Sequence, residues 1–187
     1  MSYEAWDVQL DITLGGQING IQTFLPRMLG RNKSAHIVNT SSQAGLVASH
    51  GGRLYMYNMA KFAIVGLSEA LHQVLEPTPI DVTLLLPGYV ATNFSANALK
   101  SLETLPANSD ARRAAEERSR RLTSTQSTMG MSADEVGRMV LDAVLTNKFY
   151  VHTARRAEDV VERTRAIVDS MPPETDRDRQ LKGYVNN

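Results

Sequence analysis

Hydrophobic side chains recur every three or four residues in two long segments of the chain, which predicts two amphipathic helices. The first helix is predicted from about Tyr3 to Gly30 and the second from about Met56 to Glu76. The apolar stripe of the first helix consists of Leu14, Ile18, Ile21, Leu25 and Met28. The buried face of the second consists of Ala60, Ile64, Leu67, Leu71 and Val74, and Pro77 and Pro79 follow it.

Short β-branched or apolar segments alternate with these helices and predict buried strands. The segments are His36–Thr40, Ile80–Leu86 and Phe149–Val151. Connections of this length between strands are typical of parallel βαβ units. We therefore expect an α/β fold, a partial Rossmann-like (doubly wound) domain of about three parallel strands with helices on both faces. We assign residues 1–187 to this single domain.

The stretch of residues 95–130 is rich in Ser, Ala, Arg and Glu, and Ala111–Arg121 within it is compatible with a helix. It fits either a solvated surface excursion or a substrate lid, and its place after a strand's carboxyl end favours the lid. Ser132 and Glu135 form a capping box that opens another helix. A charged helix follows from about Arg155 to Met171, and we expect residues 174–187 to be a loose tail.

Charge and cysteine content exclude several function classes. Lys plus Arg and Asp plus Glu each number 20, so the net charge gives no reason to expect nucleic acid or an anionic membrane as a partner. The chain contains no cysteine, which rules out thiol catalysis and fits a cytoplasmic location. We find no signal peptide, and the longest apolar stretches are far shorter than a membrane span.

The pair Tyr57 and Lys61 is the first candidate for chemistry. At positions i and i+4 the two side chains share one face of the second helix. A nearby ammonium favours the phenolate, so we expect Lys61 to lower the pKa of Tyr57 toward the range of a general acid/base. The spacing alone is common in soluble helices. Tyr55 provides an internal contrast, because its i+4 partner is Met59.

Two further motifs follow predicted parallel strands at their carboxyl ends, where such sheets present ligand groups. Ser41 and Ser42 begin the first, and a serine hydroxyl there would hydrogen-bond a substrate oxygen or simply cap a turn. The second, Pro87 to Thr92, contains Gly88, which either lets the backbone approach a flat ligand or only forms a turn.

The order of these motifs resembles the classical short-chain dehydrogenase/reductase family. The similar segments read Ile-Val-Asn-Thr-Ser-Ser-Gln-Ala-Gly, then Tyr-Asn-Met-Ala-Lys-Phe-Ala, then Pro-Gly-Tyr-Val-Ala-Thr. The resemblance runs from Trp6 to about Asn93 and matches the catalytic portion of the family. It does not include the N-terminal half that binds the cofactor pyrophosphate. Gly15-Gly16 lies inside a helical pattern and does not match the family's Gly-rich turn.

The resemblance implies a role for each matched residue. Tyr57 would exchange a proton with the substrate oxygen, Lys61 would assist Tyr57 and bind the nicotinamide ribose, and Ser42 would hold the substrate oxygen. Thr13 stands where the family usually has an asparagine, and threonine lacks the second donor of the amide. The residues that would face the cofactor, besides Tyr57 and Lys61, are Pro87, Gly88, Val90 and Thr92.

The function implied is NAD(P)-dependent interconversion of an alcohol and a carbonyl on a small substrate, with either NAD or NADP as cofactor. Apolar residues of the predicted lid suggest a fairly apolar substrate; these are Ala96, Ala98, Leu99 and Leu102. We expect a homodimer or homotetramer and only weak dinucleotide binding by the 187-residue chain alone. Two alternatives stay open: a truncated, catalytically silent relative that serves as a binding or oligomerisation module, and a lyase, epimerase or isomerase that uses the same Tyr and Lys.

Overall fold

The structure is a computed structural model that describes residues 3–48, 55–95, 97 and 110–185. Its first helical segment has three parts, α1 (Tyr3–Leu10), a π-helix (Asp11–Gly15) and α2 (Gly16–Arg31). The predicted helix is confirmed, but the π-helical turn within it was not predicted. Helix α2 ends at Asn32, which has left-handed backbone angles and donates its N–H to Leu29 O at 3.1 Å.

A three-stranded parallel sheet forms the centre of the fold. Its strands are β1 (Ala35–Thr40), β2 (Ile80–Leu86) and β5 (Tyr150–His152), in the order β1-β2-β5. Helix α3 (Tyr55–Leu75) connects β1 with β2. Thr40 pairs with Leu85, so β1 and β2 end level with each other. The predicted α/β class and parallel strand direction are confirmed, and this sheet has the three strands that were predicted.

The hydrophobic core lies on both faces of the central strand β2. Alternate residues of a strand point to opposite faces, and the contacts of β2 follow that rule. Val82, Leu84 and Leu86 pack toward Ile64, Val65, Leu71 and Leu75 of α3. Leu85 packs on the other side against Val136 and Ala143 of helix α5 (Ala133–Leu145). Burial on both faces explains why β2 is an almost unbroken apolar run.

The segment after β2 contains two very short strands and a long helix. The strands β3 (Val90–Ala91) and β4 (Met131–Ser132) pair in parallel, and helix α4 (Asp110–Met129) precedes β4. A Cβ on Gly130 would lie 2.8 Å from Ala91 N, so only glycine allows this close approach of α4 to β3. The capping box at Ser132 and Glu135 is confirmed and starts α5. The predicted lid residues Ala96, Ala98, Leu99 and Leu102 lie outside the described residues.

The chain divides into two compact units, Met1–Arg155 and Arg156–Asn187. The second unit contains α6 (Ala157–Asp169) and α7 (Asp176–Val185). Helix α6 matches the predicted charged helix, whereas α7 occupies most of the predicted loose tail. Thr175 and Asp178 cap α7 reciprocally, because Thr175 N donates to Asp178 Oδ2 at 2.8 Å and Asp178 N donates to Thr175 Oγ1 at 3.3 Å. The assignment of 1–187 to a single domain stays a prediction. Among the described helices, none is both long and apolar enough to cross a bilayer.

Candidate active site

Tyr57 and Lys61 lie together on the first turns of α3, as their spacing predicts. The Lys61 Nζ is 5.7 Å from the centroid of the Tyr57 ring. The same Nζ donates a hydrogen bond to Thr40 O at 3.1 Å, at the carboxyl end of β1. Burial lowers the pKa of Lys61. The pair therefore sits where the helix meets the end of the first strand.

The Tyr57 pKa differs from the sequence expectation. Burial raises this pKa above its usual value near 10, and a hydrogen bond with the Ser42 side chain opposes the rise. The Lys61 ammonium donates to the Thr40 carbonyl and lies 5.7 Å from the phenol ring. Burial therefore outweighs the Ser42 contact, and the expected decrease of the Tyr57 pKa is not found.

The two neighbouring serines have different environments. Ser41 is 3% exposed and donates its hydroxyl proton to the backbone carbonyl of Lys61 at 2.7 Å. Ser42 is half-buried, contacts Tyr57, and accepts a hydrogen bond from Ala44 N at 3.1 Å as the cap of a short 3₁₀ turn, Gln43–Gly45. Ser41 thus fixes the loop to α3, while Ser42 faces the phenol.

Gly45 and Gln43 position this loop further. A Cβ on Gly45 would lie 2.6 Å from Lys61 O, so the loop can touch α3 only because residue 45 is glycine. Gln43 is buried, and its Nε2 lies 2.9 Å from Leu86 O and 3.1 Å from Ala154 O. These contacts connect the ends of all three strands. Sequence reasoning gave neither residue a role, although both lie inside the serine motif.

The motif from Pro87 to Thr92 follows β2 as predicted. Its residues Pro87, Gly88 and Val90 make contacts with other parts of the fold. Pro87 O accepts a hydrogen bond from Gln43 N at 2.9 Å. Gly88 N donates to Thr153 Oγ1 at 2.9 Å, and a Cβ on Gly88 would lie 2.6 Å from Ala154 Cβ. Val90 packs against the cluster that contains Leu85. The close approach that requires Gly88 is therefore made to the loop after β5, and Thr92 is exposed.

Thr13 lies in the π-helix, where the backbone ladder gains one residue per turn. Gln9 Nε2 donates a hydrogen bond to its hydroxyl at 2.5 Å. The next residue, Leu14, packs against the core cluster of Ile64 and Val65 on α3. π-Helical turns often mark functional positions. The structure thus brings the Thr13 segment against α3.

Phe94 is a site residue that sequence reasoning missed. Its ring centroid is 6.4 Å from that of Tyr57, with the ring planes 56° apart, and the side chain is 53% exposed. It occurs two residues after Thr92, just beyond the matched motif. A large aromatic in a polar stretch that follows a strand's carboxyl end is the signal that would have identified it.

Comparison with known proteins identifies the family. The family model described as short chain dehydrogenase matches residues 1–103. The chain belongs to the short-chain dehydrogenase/reductase family. It is 40% identical to SadH of Mycobacterium tuberculosis over 91 residues, which are 48% of this chain and 32% of SadH. It is 27% identical to the CLA biosynthesis dehydrogenase/reductase of Lactiplantibacillus plantarum, over 90% of this chain and 60% of that protein.

Solved structures agree with this assignment. A short-chain dehydrogenase/reductase from Burkholderia phymatum, solved in complex with NAD, is 26% identical with a TM-score of 0.77, over 94% of this chain and 63% of that one. LigO from Sphingobium is 26% identical with a TM-score of 0.68, over 100% of this chain and 61% of that one. The chain thus spans about three fifths of these structures. Among the described residues, no cluster of three or more His, Asp or Glu side chains could hold a metal ion.

Proposed function

We propose that this chain is the catalytic portion of a nicotinamide-dependent oxidoreductase that interconverts an alcohol and a carbonyl. One observation carries the proposal: the Lys61 ammonium lies 5.7 Å from the Tyr57 ring, with Ser42 beside the phenol, at the carboxyl ends of parallel strands. That edge is where open α/β sheets bind ligands. Family membership supports the same reaction class.

In this proposal Tyr57 moves the proton at the substrate oxygen. For reduction, the Tyr57 hydroxyl donates a proton to the carbonyl oxygen, and for oxidation the phenolate accepts it from the alcohol. Ser42 donates a second hydrogen bond to the same oxygen and stabilises the charge that develops there. Its present partner Pro87 O is 3.5 Å away, a weak contact that a substrate oxygen can replace.

Lys61 has two tasks in the proposal. Its Nζ has three N–H groups, and among the described residues Thr40 O is the partner that one of them binds. The other two fit the hydroxyls of a nicotinamide ribose. As that ribose and the substrate displace water, the ammonium's influence on Tyr57 increases, which lowers the phenol pKa from its raised value. Thr13, beside α3 in the π-helix, is the proposed end of a proton path.

The residues present fit the nicotinamide end of NAD or NADP. When bound, the cofactor supplies or accepts the hydride. Tyr57, Lys61 and the exposed Thr92 offer hydrogen-bonding groups to it, whereas Pro87, Gly88 and Val90 would contribute backbone and apolar contacts. Gly15 and Gly16 have helical backbone angles, with φ of −58° and −57°, so they do not form a phosphate-binding turn.

A dehydrogenase assay on the protein extended upstream to the family's full length, with NADH and NADPH, tests the proposal. Tyr57→Phe removes the transferred proton and is expected to lower kcat about 10²- to 10⁴-fold. Tyr55→Phe is the matched control, because Tyr55 lies on the same turn and packs against Trp6 at 5.5 Å. Equal rates for wild type and Tyr57→Phe would refute the mechanism. Turnover without nicotinamide would favour a lyase, epimerase or isomerase, and no turnover at all a silent binding module.

A further inference from the structure

A buried polar clamp holds the segment that carries Phe94. Ser95 is 2% exposed and donates its hydroxyl proton to Gln126 Oε1 at 2.7 Å. Ser119 donates to the Ser95 backbone carbonyl at 2.8 Å. Ser119 and Gln126 are themselves 6% and 9% exposed, on an α4 that is otherwise strongly polar. Buried polar groups of this kind are costly unless satisfied, so the three residues fix one another.

The far end of α4 is also anchored. Gly130 N donates to Gln126 O at 3.1 Å, and Met131 N donates to Tyr89 O at 3.0 Å in the β3–β4 pair. Gly130 approaches Ala91 so closely that no Cβ fits. The helix is therefore tied to the body of the fold on one side and to residue 95 on the other. The position of Phe94 follows from both attachments.

The Phe94 side chain itself is far more exposed than these residues. Just over half of its side chain is exposed, yet its ring stands 6.4 Å from that of Tyr57. Exposure of a large aromatic beside a half-buried phenol leaves an apolar surface next to the place where a substrate oxygen would bind. Aromatic rings stack favourably on other planar groups in offset or tilted arrangements.

We infer that Phe94 is a specificity-determining residue, which stacks on a planar, conjugated group attached to the substrate's carbonyl carbon. The clamp residues are positioning residues that hold the Phe94 ring beside Tyr57; they are Ser95, Ser119 and Gln126. The inference rests on the proposed function, in which a carbonyl oxygen binds at Tyr57. It adds a substrate class, which is aryl and other conjugated ketones and their alcohols. It also gives the polar clamp a role, which is to align Phe94 with Tyr57.

Binding measurements test the inference without requiring hydride transfer. Acetophenone and cyclohexyl methyl ketone have equal numbers of heavy atoms and differ in the planarity of the ring. Ligand-detected NMR titration gives a Kd for each ketone, and we expect the wild-type protein to bind acetophenone more tightly. We define the Kd ratio as the Kd of cyclohexyl methyl ketone divided by that of acetophenone. Phe94→Leu should reduce this ratio about three- to tenfold. Phe24→Leu, which removes a comparably exposed aromatic from α2, is the control and keeps the ratio.

The positioning role of the polar clamp is tested by combining variants. Gln126→Leu is expected to reduce the same ratio and to weaken the nuclear Overhauser contact between the Phe94 and Tyr57 rings, whereas Ser127→Ala, on the exposed side of α4, changes neither. Ser119→Ala provides a milder second variant. In the Phe94→Leu background, Gln126→Leu should alter the Kd ratio by less than about twofold, because the two residues act through one contact.

Several outcomes would overturn the inference. These are equal affinity of the wild type for both ketones, no binding of either, an unchanged ratio in Phe94→Leu, or independent effects of Gln126→Leu and Phe94→Leu. The proposed function can fail separately. If the extended protein shows no turnover but the binding ratios and the ring contact respond as expected, the planar-group site stands and the oxidoreductase mechanism does not.

Discussion

Adding one methyl group at Gly45 should destabilise the protein, and adding one at Gly66 should stabilise it. A Cβ at residue 45 would lie 2.5 Å from Ser41 Oγ, 2.6 Å from Lys61 O and 2.9 Å from Lys61 C. Two of these atoms belong to the backbone of α3 and cannot rotate away. Overpacking of this kind costs about 1–3 kcal/mol, so Gly45→Ala should lower the free energy of unfolding by that amount.

Gly66 is the matched control. It lies on the exposed side of α3, and a Cβ there would meet no atom within 4 Å. Glycine inside a helix costs about 0.5–1 kcal/mol relative to alanine, so Gly66→Ala should raise the free energy of unfolding by about that amount. Both substitutions add the same atoms to the same chain. The expected opposite signs therefore reflect the clash at residue 45 and the gain in helix propensity at residue 66.

Urea denaturation followed by circular dichroism measures both changes, with thermal melts as a second readout. For a chain of this size about 1 kcal/mol corresponds to roughly 2–4 °C in Tm. Gly45→Ala should also raise the Tyr57 pKa, because a displaced loop carries Ser42 away from the phenol. The reasoning fails if Gly45→Ala unfolds within about 0.5 kcal/mol of the wild type, or if both variants shift stability in the same direction.

Three further predictions concern single hydrogen bonds. Ser42→Ala should raise the Tyr57 pKa, because the Ser42 side chain opposes the effect of burial on that pKa. Ultraviolet titration, with Tyr57→Phe as the reference, isolates this phenol. An unchanged pKa would contradict the role of Ser42. Ser132→Ala should cost about 1 kcal/mol in urea by removing the cap of α5, and a loss near zero would contradict that role. Burial and Glu69 raise the pKa of Tyr150 to about 12, so the stability that Tyr150→Phe removes should be constant below pH 10 and vanish between pH 10 and 12. A difference that grows with pH would show that the sign is wrong.

The sequence predicted the fold where one local pattern controls each element. The periodic stripe of α3 and the apolar run of β2 predicted their positions to within a residue, because both elements bury a face. The predicted face of α3 was wrong at its end: Val74 is 71% exposed, and Leu75 is buried instead. The strands β3 and β4 were missed, since each has only two residues and exists through its pairing with the other. The π-helix was also missed, because no local pattern in Asp11–Gly15 indicates an extra residue in the turn.

The candidate site was predicted less evenly. Spacing placed Tyr57 and Lys61 on one face of α3, which the structure confirms, but spacing does not determine which acceptor an ammonium chooses. Lys61 donates to Thr40 O, and burial raises the Tyr57 pKa, where a decrease was expected. Phe94 was missed because it meets Tyr57 across a long separation in sequence, which no local pattern shows.

The residues around Ser42 explain why the serine motif is more informative than the spacing of Tyr57 and Lys61. Each neighbour of Ser42 is held by a different part of the fold: Ser41 by the α3 backbone, Gln43 by the ends of β2 and β5, and Gly45 by close contact with Lys61. A hydroxyl on so constrained a loop keeps its place relative to Tyr57 without a ligand. Preorganisation of this kind lets a hydrogen bond act on a developing charge with little reorganisation. The motif therefore specifies a rigid turn, and Ser42, the proposed donor to the substrate oxygen, lies beside the phenol on that turn.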